Sequence, residues 1–264
     1  MKLIISDKGK KDTFVVLFQI LKNFTNSVHI LFNDDHLYIQ GMDKSHVCLY
    51  DIRVNSNWFD KYETVATDNK AICINTTTIH SVLSISQDHQ TLIMHYSGDP
   101  EKLQVDFVNE QGLKGEFSRF FELPLLECEL QLLDIPSTDY DAEFSVNAKK
   151  MSEITNQLSL FGETMTIECS EEQINISANG DTGRMMINIP INDLNEFSIS
   201  EGETFKLSYS LNYVHKMCIT TKLSQEVSFS ISEEFPMKIS YALGANGEDG
   251  HVIFFLAPKV GEDE

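Results

Sequence analysis

Two stretches of this chain, far apart in sequence, carry the same pattern, and that duplication limits the folds open to it. Residues 28–40 and 165–177 both read as strand, acidic turn, strand. Within each, apolar and polar residues alternate with the period of a half-buried strand. An acidic pair occupies each turn, Asp34 and Asp35 in one and Glu171 and Glu172 in the other. The apolar positions coincide: Val28 with Met165, Ile30 with Ile167, Leu37 with Ile174, and Ile39 with Ile176. A helical stripe precedes each hairpin, formed by Phe14, Leu17, Leu21 and Phe24 before the first and by Met151, Ile154, Leu158 and Phe161 before the second. Asp12 is the expected N-cap of the earlier helix. A weaker correspondence follows. Ala71–Asn75 leading to Ile79, Val82 and Leu83 parallels Phe205–Tyr209 leading to Tyr213, His215 and Met217, in both cases a strand running into a short helix. Paired strands close each half, Thr91–Tyr96 with Leu103–Asn109 and Glu226–Ser232 with Met237–Leu243.

The halves are offset by roughly 135 residues, one domain of common size. The expectation is a duplicated two-domain α+β fold, with domains at residues 1–124 and 138–264 and a connector at 125–137. Hydrophobic residues make up 42% of the 264, enough for two cores. Pro124, Pro136 and the acidic residues between them suit a connector. Its many leucines predict that it lies along the protein surface and buries one side.

Acid outweighs base, 40 Asp+Glu against 20 Lys+Arg, for a formal net charge of -20. Such a surface repels nucleic acid, whereas a protein that holds DNA by affinity carries a basic patch. The cysteines Cys48, Cys73, Cys128, Cys169 and Cys218 are odd in number and widely spaced, and all but Cys128 sit in apolar or alternating runs. That pattern reads as buried free thiols in a reducing compartment. The N-terminal apolar run is too short for a signal peptide and no stretch reaches the length of a membrane span, so a soluble intracellular protein without a membrane partner is expected.

No catalytic constellation emerges, and neither a cofactor nor a metal is expected. The chain lacks a Gly-x-x-x-x-Gly-Lys loop, a Gly-x-Ser-x-Gly elbow and a His-Glu-x-x-His helix. The glycine-rich residues 244–250 follow a strand with no helix after them, which reads as a hairpin loop. Asp34, Asp35 and His36 read as a turn rather than a metal cluster, because they stand in the duplicated hairpin. The remaining histidines are dispersed, with no zinc-ligand spacing to a thiol.

Three further segments are more specific. Gln40-Gly-Met42-Asp43-Lys-Ser45-His46-Val47-Cys-Leu49 is followed by Trp58-Phe59-Asp60-Lys-Tyr62. Leu132-Leu133-Asp-Ile135-Pro136 stands midway, and Phe254-Phe255-Leu256-Ala257-Pro258-Lys259 precedes an acidic tail. In these motifs, in order and over nearly its whole length, the chain resembles the proliferating cell nuclear antigen family of eukaryotic and viral DNA sliding clamps. The resemblance implies a homotrimeric ring, with outer β-sheets and short helices lining a central channel. It implies a DNA polymerase processivity factor that is not an enzyme and that encircles double-stranded DNA without reading its sequence. An ATP-dependent clamp loader would open the ring. The location would be nuclear, or the host nucleus or a cytoplasmic replication site for a viral protein.

The resemblance also implies a docking pocket under the connector for replication and repair proteins carrying a Gln-x-x-aliphatic-x-x-aromatic-aromatic peptide. The matching positions are Met42, His46, Val47, Leu133, Ile135, Pro236, Phe255, Leu256, Ala257 and Pro258. The other reading of Phe254, Phe255 and Leu256 is a plain core strand. Alternation lets one phenylalanine of the pair face a pocket, and the match makes it Phe255. Candidate channel lysines on the helices and their flanks are Lys8, Lys10, Lys11, Lys22, Lys149, Lys150, Lys216 and Lys222. Only Lys22 falls clearly on a position usually basic in the family; Ser81, Ser84, Glu153, Asn156 and Ile219 stand where the family is usually basic, which implies a weakly positive channel. Edge strands near Glu116–Leu123 and Thr182–Ile189 would pair between subunits, with Phe121 and Met185 at the joint, Met185 replacing a small glycine. Glu171 stands at the family's frequently modified lysine. Competing readings are a monomeric or dimeric clamp-like processivity factor, a checkpoint-clamp subunit, a structural acidic assembly protein, and a β-rich carbohydrate-active enzyme. The last gains little from the lone Trp58.

Overall fold

The computed structural model of the chain describes residues 1–64, 71–200, 202, 204–245 and 247–259. The first half runs β1 (Lys2–Ile5), α1 (Lys8–Leu21), β2 (Ser27–Phe32), β3 (His36–Met42), β4 (Cys48–Asn55), β5 (Lys61–Glu63), β6 (Ala71–Asn75), α2 (Thr76–Leu83), β7 (Thr91–His95), β8 (Lys102–Val108) and β9 (Arg119–Leu126). The second runs β10 (Ala142–Asn147), α3 (Ala148–Leu158), β11 (Thr164–Cys169), β12 (Gln173–Gly180), β13 (Gly183–Pro190), β14 (Glu196–Ile199), β15 (Phe205–Ser210), α4 (Leu211–Cys218), β16 (Glu226–Ile231), β17 (Met237–Leu243) and β18 (Gly250–Leu256). Strand, helix, five strands, helix, three strands: the same order occurs in both halves. The duplicated α+β fold is therefore present element by element, well beyond the hairpins that revealed it.

The chain forms two compact units. One comprises Met1–Lys44, Tyr50–Leu133 and Leu243–His251, the other Ser45–Leu49, Asp134–Ala242 and Val252–Glu264. In the first, strands lie in the orders β5–β1–β7–β8–β9 and β4–β3–β2–β6; the second repeats this as β14–β10–β16–β17–β18 and β13–β12–β11–β15. The acidic pairs occupy the β2–β3 and β11–β12 turns, as expected.

Each helix buries one face. On α1, Phe14, Leu17, Phe18 and Leu21 recur at helical spacing and are at most 1% exposed. Burying each such side chain contributes about 1.5–3 kcal/mol. Phe24 and Phe161 lie beyond the helices, in matching turns. The Phe24 N–H donates to Leu21 O at 3.0 Å and the Phe161 N–H to Leu158 O at 2.9 Å. The N-cap of α1 is Asp7, whose carboxylate accepts from the Lys10 N–H at 2.8 Å, and Asp12 stands inside the helix. The first turn of α1 is polar, so apolar periodicity placed its start too late. On α4 the buried face is Leu211, Val214, Met217 and Cys218, while Tyr213 and His215 are half-exposed. Of the three matched positions, Met217 alone lies on that face. The Tyr241 hydroxyl donates to Met217 O at 3.0 Å, satisfying a carbonyl that the end of α4 leaves open.

Residues 244–250 connect β17 to β18 as a hairpin loop, with Asn246 outside the described residues. Gly250 has φ +128°, and a Cβ there would run into the Arg53 carbonyl, so only glycine lets the two backbones approach. Among the described residues no helix is long and apolar enough to cross a membrane.

Candidate functional site

A buried amide holds the connector. Gln40, on β3 and 4% exposed, faces Leu133 with both halves of its side chain. Its Nε2 donates to Leu133 O at 2.9 Å, and its Oε1 accepts from Leu133 N at 2.8 Å. Leu133 and Ile135 are half-buried, whereas Leu130 and Leu132 are 38% and 48% exposed. The connector thus buries alternate residues, as its leucines predicted, beginning only after β9 ends at Leu126.

Gln40 also belongs to a polar cluster. Asp51 accepts from the Tyr38 hydroxyl and, at 2.9 Å, from His251 Nε2. Burial pushes the Asp51 carboxyl upward, but the hydrogen bonds from His251, Tyr38 and Gln40 outweigh it and leave the group below its ordinary value. A carboxyl depressed in the folded state adds stability above its unfolded pKa, about 4, and that contribution is lost as pH falls through the folded value. Thermal melts should therefore show the native chain losing stability below about pH 4. Asp51→Asn should start less stable at neutral pH and show a shallower acid decline. Equal acid slopes for the two proteins would remove Asp51 from the account.

The C-terminal segment belongs to the second unit. Phe254 and Leu256 are fully buried in its core; Phe255 lies on the opposite face of β18, and Phe255, Ala257 and Pro258 are half-buried. Alternation thus sets Phe255 apart from Phe254, and it places Leu256, expected among the docking residues, on the core side. Leu256 can offer a partner only its backbone. The Ala257 N–H donates to Val47 O at 3.0 Å, and the Lys259 N–H to Ser208 O at 2.7 Å. Beside Val47, the exposed His46 has φ +56°, the one positive φ outside glycine among the described residues. Pro236 is exposed, and its carbonyl accepts from the Tyr140 hydroxyl at 3.4 Å. Met42 is half-buried at the end of β3 in the first unit.

The lysines divide by accessibility. Lys11, expected to face DNA, is only 3% exposed. Its Nζ donates to Gln87 O at 2.8 Å, to Asp88 O at 3.0 Å and to Gln90 O, so it ties α1 to the loop before β7. Burial lowers its pKa, and it cannot reach a ligand. Lys8 is exposed but paired with Asp88 at 2.5 Å. Lys10 donates to Trp58 O at 2.6 Å, its amine 5.7 Å from the indole centroid. Lys22 lies 3.2 Å from His80 Nδ1, and this positive neighbour adds to burial in lowering the His80 pKa. Lys149 and Lys150 are exposed at the start of α3, where Asn147 caps both their N–H groups, and Lys150 reaches Glu153 at 3.6 Å. Lys216 stacks over Tyr213 at 5.7 Å, and Lys222 is exposed beyond α4.

Two strands leave an edge open along part or all of their length. β13 pairs only with β12. β9 pairs with β8 along Arg119–Pro124 and meets β6 only at Leu125 and Leu126. Beside these edges, Phe117, Phe120 and Met186 are 74%, 70% and 56% exposed. Phe121 and Met185, the expected residues, are each half-buried, Phe121 edge-on against Phe107 at 5.9 Å. Among the described residues no group of three or more His, Cys, Asp or Glu side chains could hold a metal ion.

Two family models together match nearly the full length. Residues 10–131 match the N-terminal domain of proliferating cell nuclear antigen, and residues 134–260 match its C-terminal domain. The chain belongs to the proliferating cell nuclear antigen family. The proliferating cell nuclear antigen of Chaetomium thermophilum is 28% identical over 249 residues, covering 92% of this chain and 93% of that protein. Proliferating cell nuclear antigen 2 of Drosophila melanogaster is 27% identical over 233 residues, covering 88% of each chain. Its namesake from Plasmodium falciparum is 24% identical over 257 residues, covering 94% of this chain and 96% of that protein. As a member of this family the chain is a DNA sliding clamp, a processivity factor of DNA replication and repair whose partners are DNA and replication proteins. The two units are the two halves of the clamp fold, which accounts for their identical element order.

Proposed function

We propose that three copies of this chain close into a ring around duplex DNA, the β9 edge of each copy pairing with the β13 edge of the next. The observation that carries this reading is the open edge of β13 and the Arg119–Pro124 stretch of β9, which pairs with β8 on one side before β6 joins at Leu125, flanked by exposed Phe117, Phe120 and Met186. An open, apolar edge is an aggregation hazard unless it is covered. A head-to-tail contact covers both edges at once, and it yields a closed ring when the rotation closes.

The short helices line the hole. Lys22, Lys149, Lys150, Lys216 and Lys222 face the phosphates, with Lys8 and Lys10 at the margin. The hold is topological, so a clamp of net charge -20 needs only weak phosphate contacts, and weak contacts permit sliding. The clamp does no chemistry of its own. A separate ATP-dependent loader opens it, in the nucleus or at a viral replication site. Clients carrying the Gln-x-x-aliphatic-x-x-aromatic-aromatic peptide dock on the connector and the C-terminal segment, using Met42, His46, Val47, Leu133, Ile135, Pro236, Phe255, Ala257 and Pro258. Aromatic side chains anchor such peptides in apolar pockets while backbone hydrogen bonds fix their course. Three docking surfaces on one ring raise the effective concentration of linked clients at the DNA.

Retention on DNA tests the reading. Loaded clamp should stay on a closed circle at high salt and leave once the circle is cut. Equal loss from both forms would end the topological account. The double variant Lys149→Glu, Lys150→Glu should load several-fold more slowly at low salt while remaining trimeric by light scattering. Unchanged loading would take both lysines out of the DNA path.

A further inference from the structure

We infer that Cys73 and Cys128 form an oxidisable dithiol whose closure to a disulfide fastens the start of the connector to strand β6. Both lie in the first unit.

The sheet register brings them together. Cys73 on β6 is the Cα partner of His29 on β2 and of Leu126 on β9. Directly opposed residues of antiparallel strands point to the same face, so His29, Cys73 and Leu126 share one face. Cys128 follows two residues beyond Leu126, just outside the strand. His29 Nε2 donates to the Cys128 carbonyl at 3.2 Å, which anchors the chain after β9 has ended. Cys73 and Cys128 border one surface cleft of about 520 Å³, together with His29, Tyr96 and Leu130. Both thiols are free in this structure.

The two sulfurs differ in access, which sets the order of the steps. Cys128 is exposed and reachable by a small oxidant; Cys73 is 5% exposed, and burial, with the neighbouring thiol, pushes its pKa up to about 12. Hydrogen peroxide is the oxidant class that fits. The Cys128 thiolate attacks one peroxide oxygen; an S–O bond forms, the O–O bond breaks and hydroxide leaves, giving a sulfenic acid. The Cys73 sulfur then attacks the Cys128 sulfur; the S–S bond forms, the S–O bond breaks and the second oxygen leaves as water. Two thiols and one peroxide become one disulfide and two waters, the sulfurs supplying both electrons. In a reducing compartment such a bond is transient, which suits sensing rather than structure. The consequence is local. The connector gains a covalent anchor upstream of Leu133, the residue held by Gln40.

The full-length protein, treated with hydrogen peroxide, digested and mapped by mass spectrometry, should yield one cross-linked pair of peptides containing Cys73 and Cys128. Dithiothreitol should reverse it. Cys48, Cys169 and Cys218 are at most 1% exposed and serve as internal controls that stay reduced. Amide exchange across residues 127–132 should slow about tenfold in the oxidised protein. The Cys128→Ser variant, altered at an exposed position, should show neither the cross-link nor the slowing. Cys128 ending as sulfinic acid, or bridged to a second chain while Cys73 remains a free thiol, would overturn the inference. So would a Cys73–Cys128 cross-link that leaves exchange of the connector unchanged.

Discussion

Light scattering on the double variant Phe120→Glu, Met186→Glu is expected to return the mass of a single 30.0 kDa chain where the unaltered protein returns three. Both side chains are more than half exposed in the isolated chain, at 70% and 56%, so charging them should leave the fold and its melting temperature nearly unchanged. Covering a side chain of this kind stabilises a joint by about 1.5–3 kcal/mol. Losing two such contributions per joint, with like charges brought face to face, weakens each contact by roughly 10²–10⁴-fold in dissociation constant. A ring has no spare joint, so the loss applies at all three together. Clamp-dependent polymerase processivity should fall to the level of the polymerase alone. A double variant that stays trimeric would place the contact elsewhere. An unaltered protein that runs as one or two chains would favour the monomeric or dimeric processivity factor.

The same two residues show where sequence reasoning stopped. Phe117, Phe120 and Phe121 lie close together, and composition does not say which of them faces water. The alternation along β9 becomes readable only once Leu123, 4% exposed, is known to point inward. The resemblance points to Phe121 and Met185, which are half-buried, while their neighbours Phe120 and Met186 are the exposed ones. Lys11 failed for another reason. Its amine is buried by the reach of a long side chain onto three carbonyls of a loop far along the chain, which no local pattern records. Leu256 was available from the sequence alone, because alternation with Phe255 places it on the side of Phe254; the weight given to the motif hid it. What was legible followed from period and repetition. The paired hairpins, the helical stripes and the half-buried connector all rest on local spacing that the fold preserves. The cluster of Gln40, Asp51 and His251 joins residues from distant parts of the chain, and nothing in their local contexts links them.

The Gln40→Ala variant should bind a client peptide about 10- to 100-fold more weakly than the native clamp, with the fold intact. The substitution removes both hydrogen bonds to Leu133. Each contributes about 0.5–1.5 kcal/mol, and water can replace both once the connector lifts; the hydrogen bond that Gln40 gives Asp51 is lost as well, which lowers global stability by about 1–3 kcal/mol. Docking weakens as well. A peptide that needs an ordered connector must now order it on binding, and each backbone residue so fixed costs about 1–2 kcal/mol. Gln40→Glu makes the sharper test. It keeps an acceptor for the Leu133 N–H, but it turns a carboxylate oxygen toward the Leu133 carbonyl and adds negative charge to the cluster containing Asp51. If the amide holds the connector by donating and accepting together, Glu should weaken docking at least as much as Ala. If Gln40 merely fills space, Glu should resemble the native residue. Calorimetry with a synthetic Gln-x-x-aliphatic-x-x-aromatic-aromatic peptide reads the affinity, and exchange of the Leu133 amide reads the anchor. Faster exchange with unaltered affinity would show that clients do not depend on an ordered connector. Unchanged exchange in Gln40→Ala would show that something other than this amide holds Leu133.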